Sequence, residues 1–255
     1  CGALDGDAGG GVVTSDLRRA AAEVGLFYPP DPGSVDTCTI GGNVATNAGG
    51  MCCVKYGVTG DYVLGVEAVL ADGRVMRTGR RTVKGVAGYD LTHLLVGSEG
   101  TLAIITEITL RLVPAPRPAA TLVATFVDLT DAGRAVAGLV AAGSDLSMLE
   151  ILDRTTVEAV DRHTGMAMGA EAVLLAQSDA ADRDAVLRGA EDTCRRAGAA
   201  DVVVTDDVAE GEQLLQARRQ ALPALERLGD WLLDDVCVPR SRIVDLIRGV
   251  QDVAA

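Results

Sequence analysis

Residues 28–50 read YPPDPGSVDTCTIGGNVATNAGG, with five glycines, three prolines and two asparagines in twenty-three positions. Such a composition suits a surface linker, and equally a backbone that presses against a ligand. Gly41-Gly42 and Gly49-Gly50 lack Cβ atoms, so their N–H groups can approach an anionic or planar group without a clash. Thr39, Asn43, Thr46 and Asn47 add neutral donors of small bulk. Two further glycine-containing stretches follow, KGVAGYDL (84–91) and VGSEGTLAIIT (96–106), the second with the Ser98 and Thr101 hydroxyls beside its glycines. Three such stretches within one region argue for a small-molecule site, phosphate-bearing, over three ordinary turns. No Walker sequence and no GxGxxG occurs, so the residues alone name no nucleotide fold.

The bulk numbers narrow the classes. A formal charge of −13 repels a phosphate backbone and disfavours nucleic acid or a polybasic membrane anchor. RTGRRTVK (77–84) is the one candidate basic patch. With 255 residues, 48% of them hydrophobic, a sizeable core is within reach. No apolar run reaches the length of a membrane span, and CGALDGDAGGG at the start has no apolar signal-peptide region. A cytoplasmic protein is expected. The six cysteines lack paired spacing and read as free thiols, and two distant histidines give no metal site. The chain opens on Cys1 and its last helix has no stop signal, which reads as a piece of a longer protein.

Periodicity places the elements. SDLRRAAAEVG (15–25) reads as a helix capped by Ser15 and stopped by Gly25. VEAVLADGRVMRTG (66–79) reads as a hairpin turning on the pair Asp72-Gly73. DLTHLLVG (90–97) gives a short helix opened by Asp90. TLAIITEITLRLVP (101–114) is the clearest strand, with Leu102, Ile104, Ile108, Leu110 and Leu112 expected on one face and Glu107, Thr109 and Arg111 on the other. PAPRP (114–118) is a stiff connector and marks a domain boundary. Beyond it, strands at 121–128, 147–152, 172–177, 201–205 and 231–238 alternate with helices at 130–143, 153–163, 179–198, 209–229 and 239–255. That pattern implies a sheet covered by helices, α+β or α/β.

Taken together, PPDPGSVDTCTIGGNVATNAGG, KYG, GYDL and VGSEGTLAIIT resemble the FAD-linked oxidases of the vanillyl-alcohol oxidase superfamily, in the glycolate oxidase FAD subunit and D-lactate (D-2-hydroxyacid) dehydrogenase branch. The resemblance runs from about residue 12 to about residue 250. It implies an α+β chain: a partial PCMH-type FAD-binding domain over 1–117, then an FAD-linked oxidase C-terminal cap domain over 118–255, an antiparallel sheet covered by helices. In that family FAD lies extended between two subdomains, held largely by backbone amides. Carried over by position, Pro32, Gly33, Ser34, Val35, Asp36, Thr37, Cys38 and Thr39 would run along the cofactor. Gly41, Gly42, Thr46, Asn47, Ala48 and Gly49 would continue toward the isoalloxazine, and Gly97, Ser98, Glu99, Gly100, Thr101, Ile104 and Ile105 would meet its other side.

Within the second domain, LQARRQALPAL (215–225) and DDVCVPRSRI (234–243) match family segments, and Arg218 is the candidate for gripping a substrate carboxylate. A solvated arginine on a charged helix is the plain alternative, and Arg219 is easily confused with it. Some relatives carry a lysine just before the DxxxP stretch, where Leu233 and Asp234 stand here. The family's pyrophosphate loop would precede residue 12, and its HxGDGNxH segment, which supplies the base or metal ligands, would lie beyond residue 255. The chain is therefore expected to be an internal fragment that retains FAD weakly by itself. The implied reaction oxidises a D-2-hydroxy acid by hydride transfer to flavin N5, with reoxidation by oxygen, a quinone, a cytochrome or a partner subunit. Competing readings are an enzyme of the same fold acting on another alcohol, and a non-catalytic subunit of that fold.

Overall fold

The computed structural model describes residues 5–82, 84–230, 232 and 234–254. They form two compact units, Cys1–Pro116 and Arg117–Ala255. The first contains strands β1 (Asp5–Gly9), β2 (Leu26–Phe27), β3 (Val63–Leu70), β4 (Val75–Gly79), β5 (Ala103–Arg111) and β6 (Val113–Pro114). Its helices are α1 (Thr14–Glu23), α2 (Ile40–Thr46), α3 (Cys53–Tyr56) and α4 (Leu91–Leu95). β1, β5, β3 and β4 lie side by side in that order, every pair antiparallel. The core beneath them holds Tyr28, Ile40, Val44, Val66, Ala68, Ile108 and Leu110.

The expected face of β5 is only half right. Opposite β3 the register slips between Glu67 and Ala68, which leaves Thr106 as an extra residue. A bulge of this kind inverts the alternation on its two sides. Ile108, Leu110 and Leu112 are buried as expected, but before the bulge Ala103 is buried while Leu102 and Ile104 are 46% and 70% exposed. The hairpin differs as well. The Leu70 N–H bonds the Arg74 carbonyl and the Gly73 N–H bonds the Leu70 carbonyl, so the loop has three residues, with Gly73 at φ 84°. That is the type I turn plus bulge that commonly closes a three-residue hairpin.

The segment 38–50 is not a loop throughout, because α2 occupies its middle. Thr39 caps that helix, its Oγ1 accepting the Gly42 N–H at 3.2 Å. Two glycines in a seven-residue helix are unfavourable by propensity, and packing supplies the reason. A Cβ on Gly41 would stand 2.7 Å from the Gly10 carbonyl oxygen, and the Gly41 N–H already donates to that oxygen. α1 starts at Thr14, one residue before the expected cap. Thr14 is fully buried and its hydroxyl donates to the Cys38 carbonyl at 3.2 Å while accepting from the Asn43 side-chain amide at 2.8 Å. This chain of polar groups ties α1 to Cys38 at the start of the glycine-rich segment and to Asn43 within α2. Asn43→Ala is expected to lower stability by about 1–3 kcal/mol, since it leaves buried polar groups unpaired. Urea unfolding of the variant checks this.

The second unit contains β7 (Ala120–Phe126), β8 (Met148–Asp153), β9 (Ala172–Ser178) and β10 (Asp201–Thr205). Their order is β10-β7-β9-β8, again antiparallel throughout, which settles the class as α+β. Helices α5 (Leu129–Ala141), α6 (Arg154–Thr164), α7 (Arg183–Arg196), α8 (Val208–Arg219), α9 (Ala221–Glu226) and α10 (Ile243–Ala254) surround it. Aspartates open three of them: Asp128, Asp153 and Asp207 each accept a backbone N–H of the first turn. The core is built from Leu122, Phe126, Leu139, Leu174, Leu187 and Cys194. Burial pushes the Cys194 thiol up to about 11. Cys38, Cys194 and Cys237 are free thiols.

Two expectations fail here. The single helix at 209–229 breaks at Gln220 into α8 and α9. Pro223 has no N–H to give the Arg219 carbonyl, and its ring crowds that carbonyl, so a continuous helix is disfavoured. The strand expected at 231–238 is also not seen: Leu232 and residues 234–238 carry no strand, and Trp231 and Leu233 lie outside the described residues. Among the described residues, no helix is long and apolar enough to cross a membrane.

Candidate functional site

In the first unit α2 links two turns of bare backbone. The turn at 33–37 leads into its N-terminal end, and VGSEGT docks on its C-terminal end. There the Gly97 N–H bonds the Val44 carbonyl at 2.9 Å and the Glu99 N–H bonds the Ala45 carbonyl at 2.8 Å. At 1.5 Å per residue, seven residues set the two turns roughly 10 Å apart. Asn47, just past the helix, is in the left-handed region at φ 51°, and its side-chain oxygen accepts the Gly60 N–H at 2.8 Å. The Gly60 carbonyl faces His93 Nε2 at 3.1 Å, and His93 Nδ1 faces Asp90 at 2.7 Å. The sequence-distant pieces TNAGG, TGD, DLTH and GSEGT thus form one connected structure.

The donors available here differ from those the sequence suggests. The N–H groups of Gly41, Gly42 and Gly50 are spent on the Gly10 carbonyl, the Thr39 hydroxyl and Cys53 Sγ. Thr46 and Thr101 hydroxyls donate to the Gly42 and Ser98 carbonyls, Asn43 is buried on Thr14, and Asn47 holds Gly60. These groups already have partners within the protein. What remains open is backbone. The N–H groups of Gly33, Ser34, Asp36 and Gly100 make no backbone hydrogen bond among the described residues. A Cβ built on Gly33 or Gly100 would meet nothing within 4 Å, so both turns present bare chain to open space. That surface fits a long cofactor carrying phosphates, which bare amides can approach closely without a cation.

Two cations of the basic patch are already paired. Arg77 pairs with Glu67 at 2.5 Å, and Arg81 with Asp7 and, at 3.4 Å, with Asp5. Arg81 and the Thr109 hydroxyl hold the Asp7 carboxyl below its usual range, the hydroxyl contributing most. Val83 in that stretch lies outside the described residues. Tyr89 of GYDL is 96% exposed, and His93 is engaged as described.

In the second unit, α8 rests on the sheet through Gly211 and Leu215, both buried. Arg218 follows Leu215 by three residues, which keeps it on the inward side. There its Nε donates to Glu150 of β8 at 2.5 Å, with the two side chains 33% and 22% exposed. Arg219 points elsewhere and pairs with Glu212 at 2.9 Å. Two residues after Arg218, Gln220 meets His163 of α6 at 3.2 Å. Sequence reading singled out Arg218, with Arg219 as its rival, and did not find Glu150, whose only signal is its place between Leu149 and Ile151 in β8. Asp207 caps α8, while Asp234 and Asp235 are exposed.

Comparison with known proteins gives the same assignment. A family described as FAD binding domain matches residues 7–79, and one described as FAD linked oxidases, C-terminal domain, matches residues 115–255. The chain is 43% identical to the glycolate oxidase subunit GlcD of Bacillus subtilis over 252 residues, covering 96% of this chain and 53% of that protein. It is 38% identical over 253 residues to a D-lactate dehydrogenase of Archaeoglobus fulgidus, covering 96% and 55%. It is thus similar to curated relatives of which it spans about half the length. A solved alkyldihydroxyacetonephosphate synthase shares the fold at TM-score 0.74 and 19% identity, covering 98% of this chain and 52% of that one. With an FAD-binding domain matched in its first unit and the C-terminal domain of the FAD-linked oxidases matched across its second, this chain belongs to the FAD-linked oxidase family.

Proposed function

We propose that the protein carrying this chain oxidises a D-2-hydroxy acid of the glycolate or D-lactate type to the 2-oxo acid. The observation that carries this is the 43% identity, over 96% of the chain, to a glycolate oxidase subunit. FAD, when bound, supplies the hydride acceptor, and the protein contributes binding and orientation. Pro32, Val35, Thr37, Cys38 and Thr39, with Gly33, Ser34 and Asp36, form one stretch of the cofactor wall. Ser98, Glu99, Gly100, Thr101, Ile104 and Ile105 form another, reached through Gly97. Gly41, Gly42, Thr46, Asn47, Ala48 and Gly49 hold the two in register.

Arg218 receives the substrate carboxylate. Its Nε is occupied by Glu150, which leaves the two terminal nitrogens for a bidentate contact. No proton acceptor is assigned among the described residues: both ring nitrogens of His93 have partners, and His163 holds Gln220 through Nε2. We place the protein in the cytoplasm and expect its electrons to pass to a partner subunit or a quinone. Assay of the intact, FAD-loaded protein with glycolate, D-lactate and D-2-hydroxyglutarate and a dye acceptor tests the reading. Turnover of one of these is expected. A protein that ignores all three and oxidises an aldose or a phenol would sink it.

A further inference from the structure

We infer that Glu150 is a positioning residue for substrate binding, one that aims the Arg218 guanidinium. The inference rests on the reading of Arg218 given above. Glu150 lies on β8, the edge strand of the four-stranded sheet, and its backbone is fixed by pairing opposite Leu175 of β9. Its carboxylate reaches Arg218 through Oε2 and contacts Nε only, at 2.5 Å. A carboxylate usually takes an arginine from its end or side with two parallel bonds. The single bond to Nε is different in consequence. It fixes the plane and direction of the guanidinium and leaves both terminal nitrogens unpaired among the described residues.

The surroundings support a held, not a mobile, arginine. Arg218 is the last but one residue of α8, where a helix end would otherwise fray. Gln220, immediately after the helix, is tied to His163 of α6. The end of α8 is therefore anchored twice, once to β8 through Arg218 and once to α6 through Gln220. Both side chains of the ion pair are partly shielded, at 33% and 22% exposure, whereas Arg219 beside it is more exposed and pairs within its own helix.

Charge and orientation make opposite predictions for Glu150, which is what makes the inference testable. A carboxylate near the site repels an anionic substrate, so its charge alone weakens binding. Its hydrogen bond aims the guanidinium and strengthens binding. Glu150→Ala removes both, and Glu150→Gln removes only the charge, since an amide oxygen still accepts from Nε. In the intact, FAD-loaded protein, Glu150→Ala is expected to raise KM for the hydroxy acid about tenfold with kcat little changed. Glu150→Gln is expected to leave KM within about threefold of the parent, or below it.

Arg218→Ala serves as the reference, and adding Glu150→Ala to it should raise KM no further. If Glu150→Ala leaves KM unchanged while Arg218→Ala raises it, Glu150 does not position the arginine and the substrate reading stands. If Arg218→Ala itself leaves KM unchanged, the reading of Arg218 falls and this inference falls with it. Equal KM increases in Glu150→Ala and Glu150→Gln would show that the hydrogen bond is not the cause. A shared loss of thermal stability without any change in KM would assign the pair to structure alone.

Discussion

Arg218→Ala in the intact protein should cost roughly a hundredfold or more in kcat/KM for the hydroxy acid, carried mainly by KM. The magnitude follows from removing one partner of a shielded, charge-assisted contact, worth about 2–5 kcal/mol when the other charge is left unpaired. Two outcomes of the substitution have to be separated. It removes the substrate contact, and it also strands Glu150, 22% exposed, without its cation. The second effect lowers stability by about 1–2 kcal/mol, reduced by partial solvent screening. Thermal melting reads the second effect and steady-state kinetics the first. Arg218→Lys keeps the charge and loses the planar fork, so its KM should fall between parent and alanine. Arg219→Ala, which breaks only an exposed pair with Glu212, should leave KM unchanged.

Gly50→Ala should destabilise the first unit by about 3 kcal/mol and strip FAD from the intact protein. A Cβ there would stand 2.4 Å from the Asp31 carbonyl oxygen and 2.3 Å from its Oδ1. Asp31 has little room to yield: it is 7% exposed, and its carboxylate already accepts the Cys52 N–H at 3.2 Å. The turn at 50–52 is seated on the buried stretch Tyr28–Asp31, and a methyl between them must push one away. Gly33→Ala provides the contrast. Its Cβ meets nothing within 4 Å, and its φ is not in the left-handed region, so stability should hold within about 0.5 kcal/mol. FAD affinity should nonetheless drop, because that open space is where the cofactor is proposed to lie. A variant that is stable yet loses FAD marks a contact, whereas one that loses both marks packing. Melting curves beside flavin absorbance of the two variants distinguish these cases.

That contrast also shows where sequence reading stopped. Glycines in GGNVATNAGG announced a close approach, and the structure has one, but at Gly41 and Gly50 the approaching group is the protein's own backbone. Composition cannot tell a carbonyl of Gly10 or Asp31 from a phosphate, because both exclude a Cβ. The helix through 40–46 was hidden for the same reason: propensity speaks against two glycines, and packing on Gly10 overrides it. β5 was legible from its alternation only beyond Thr106, and the residues before it fall on the opposite face, since nothing local to the strand signals an extra residue facing β3. β1, with the sequence DGDAG, has no strand propensity and forms by pairing with β5. The break at Gln220 was readable, because Pro223 was in view.

In the second unit the alternation of strands and helices was legible as far as α8, since it depends on residues a few positions apart. The pairing of Arg218 with Glu150 spans 68 positions and depends on how α8, packed on β7 and β10, sends its last turn toward β8. No local pattern encodes it. Legibility thus followed range: most local periods were read, and contacts set by tertiary packing were not.

Anaerobic mixing of the intact, FAD-loaded protein with D-lactate or glycolate is the most direct test of the central claim. Loss of the oxidised flavin absorbance with one of these acids, and its slowing at low substrate in Arg218→Ala, is the predicted result. A flavin that stays oxidised with every 2-hydroxy acid, and bleaches with an alcohol lacking a carboxylate, would contradict the account.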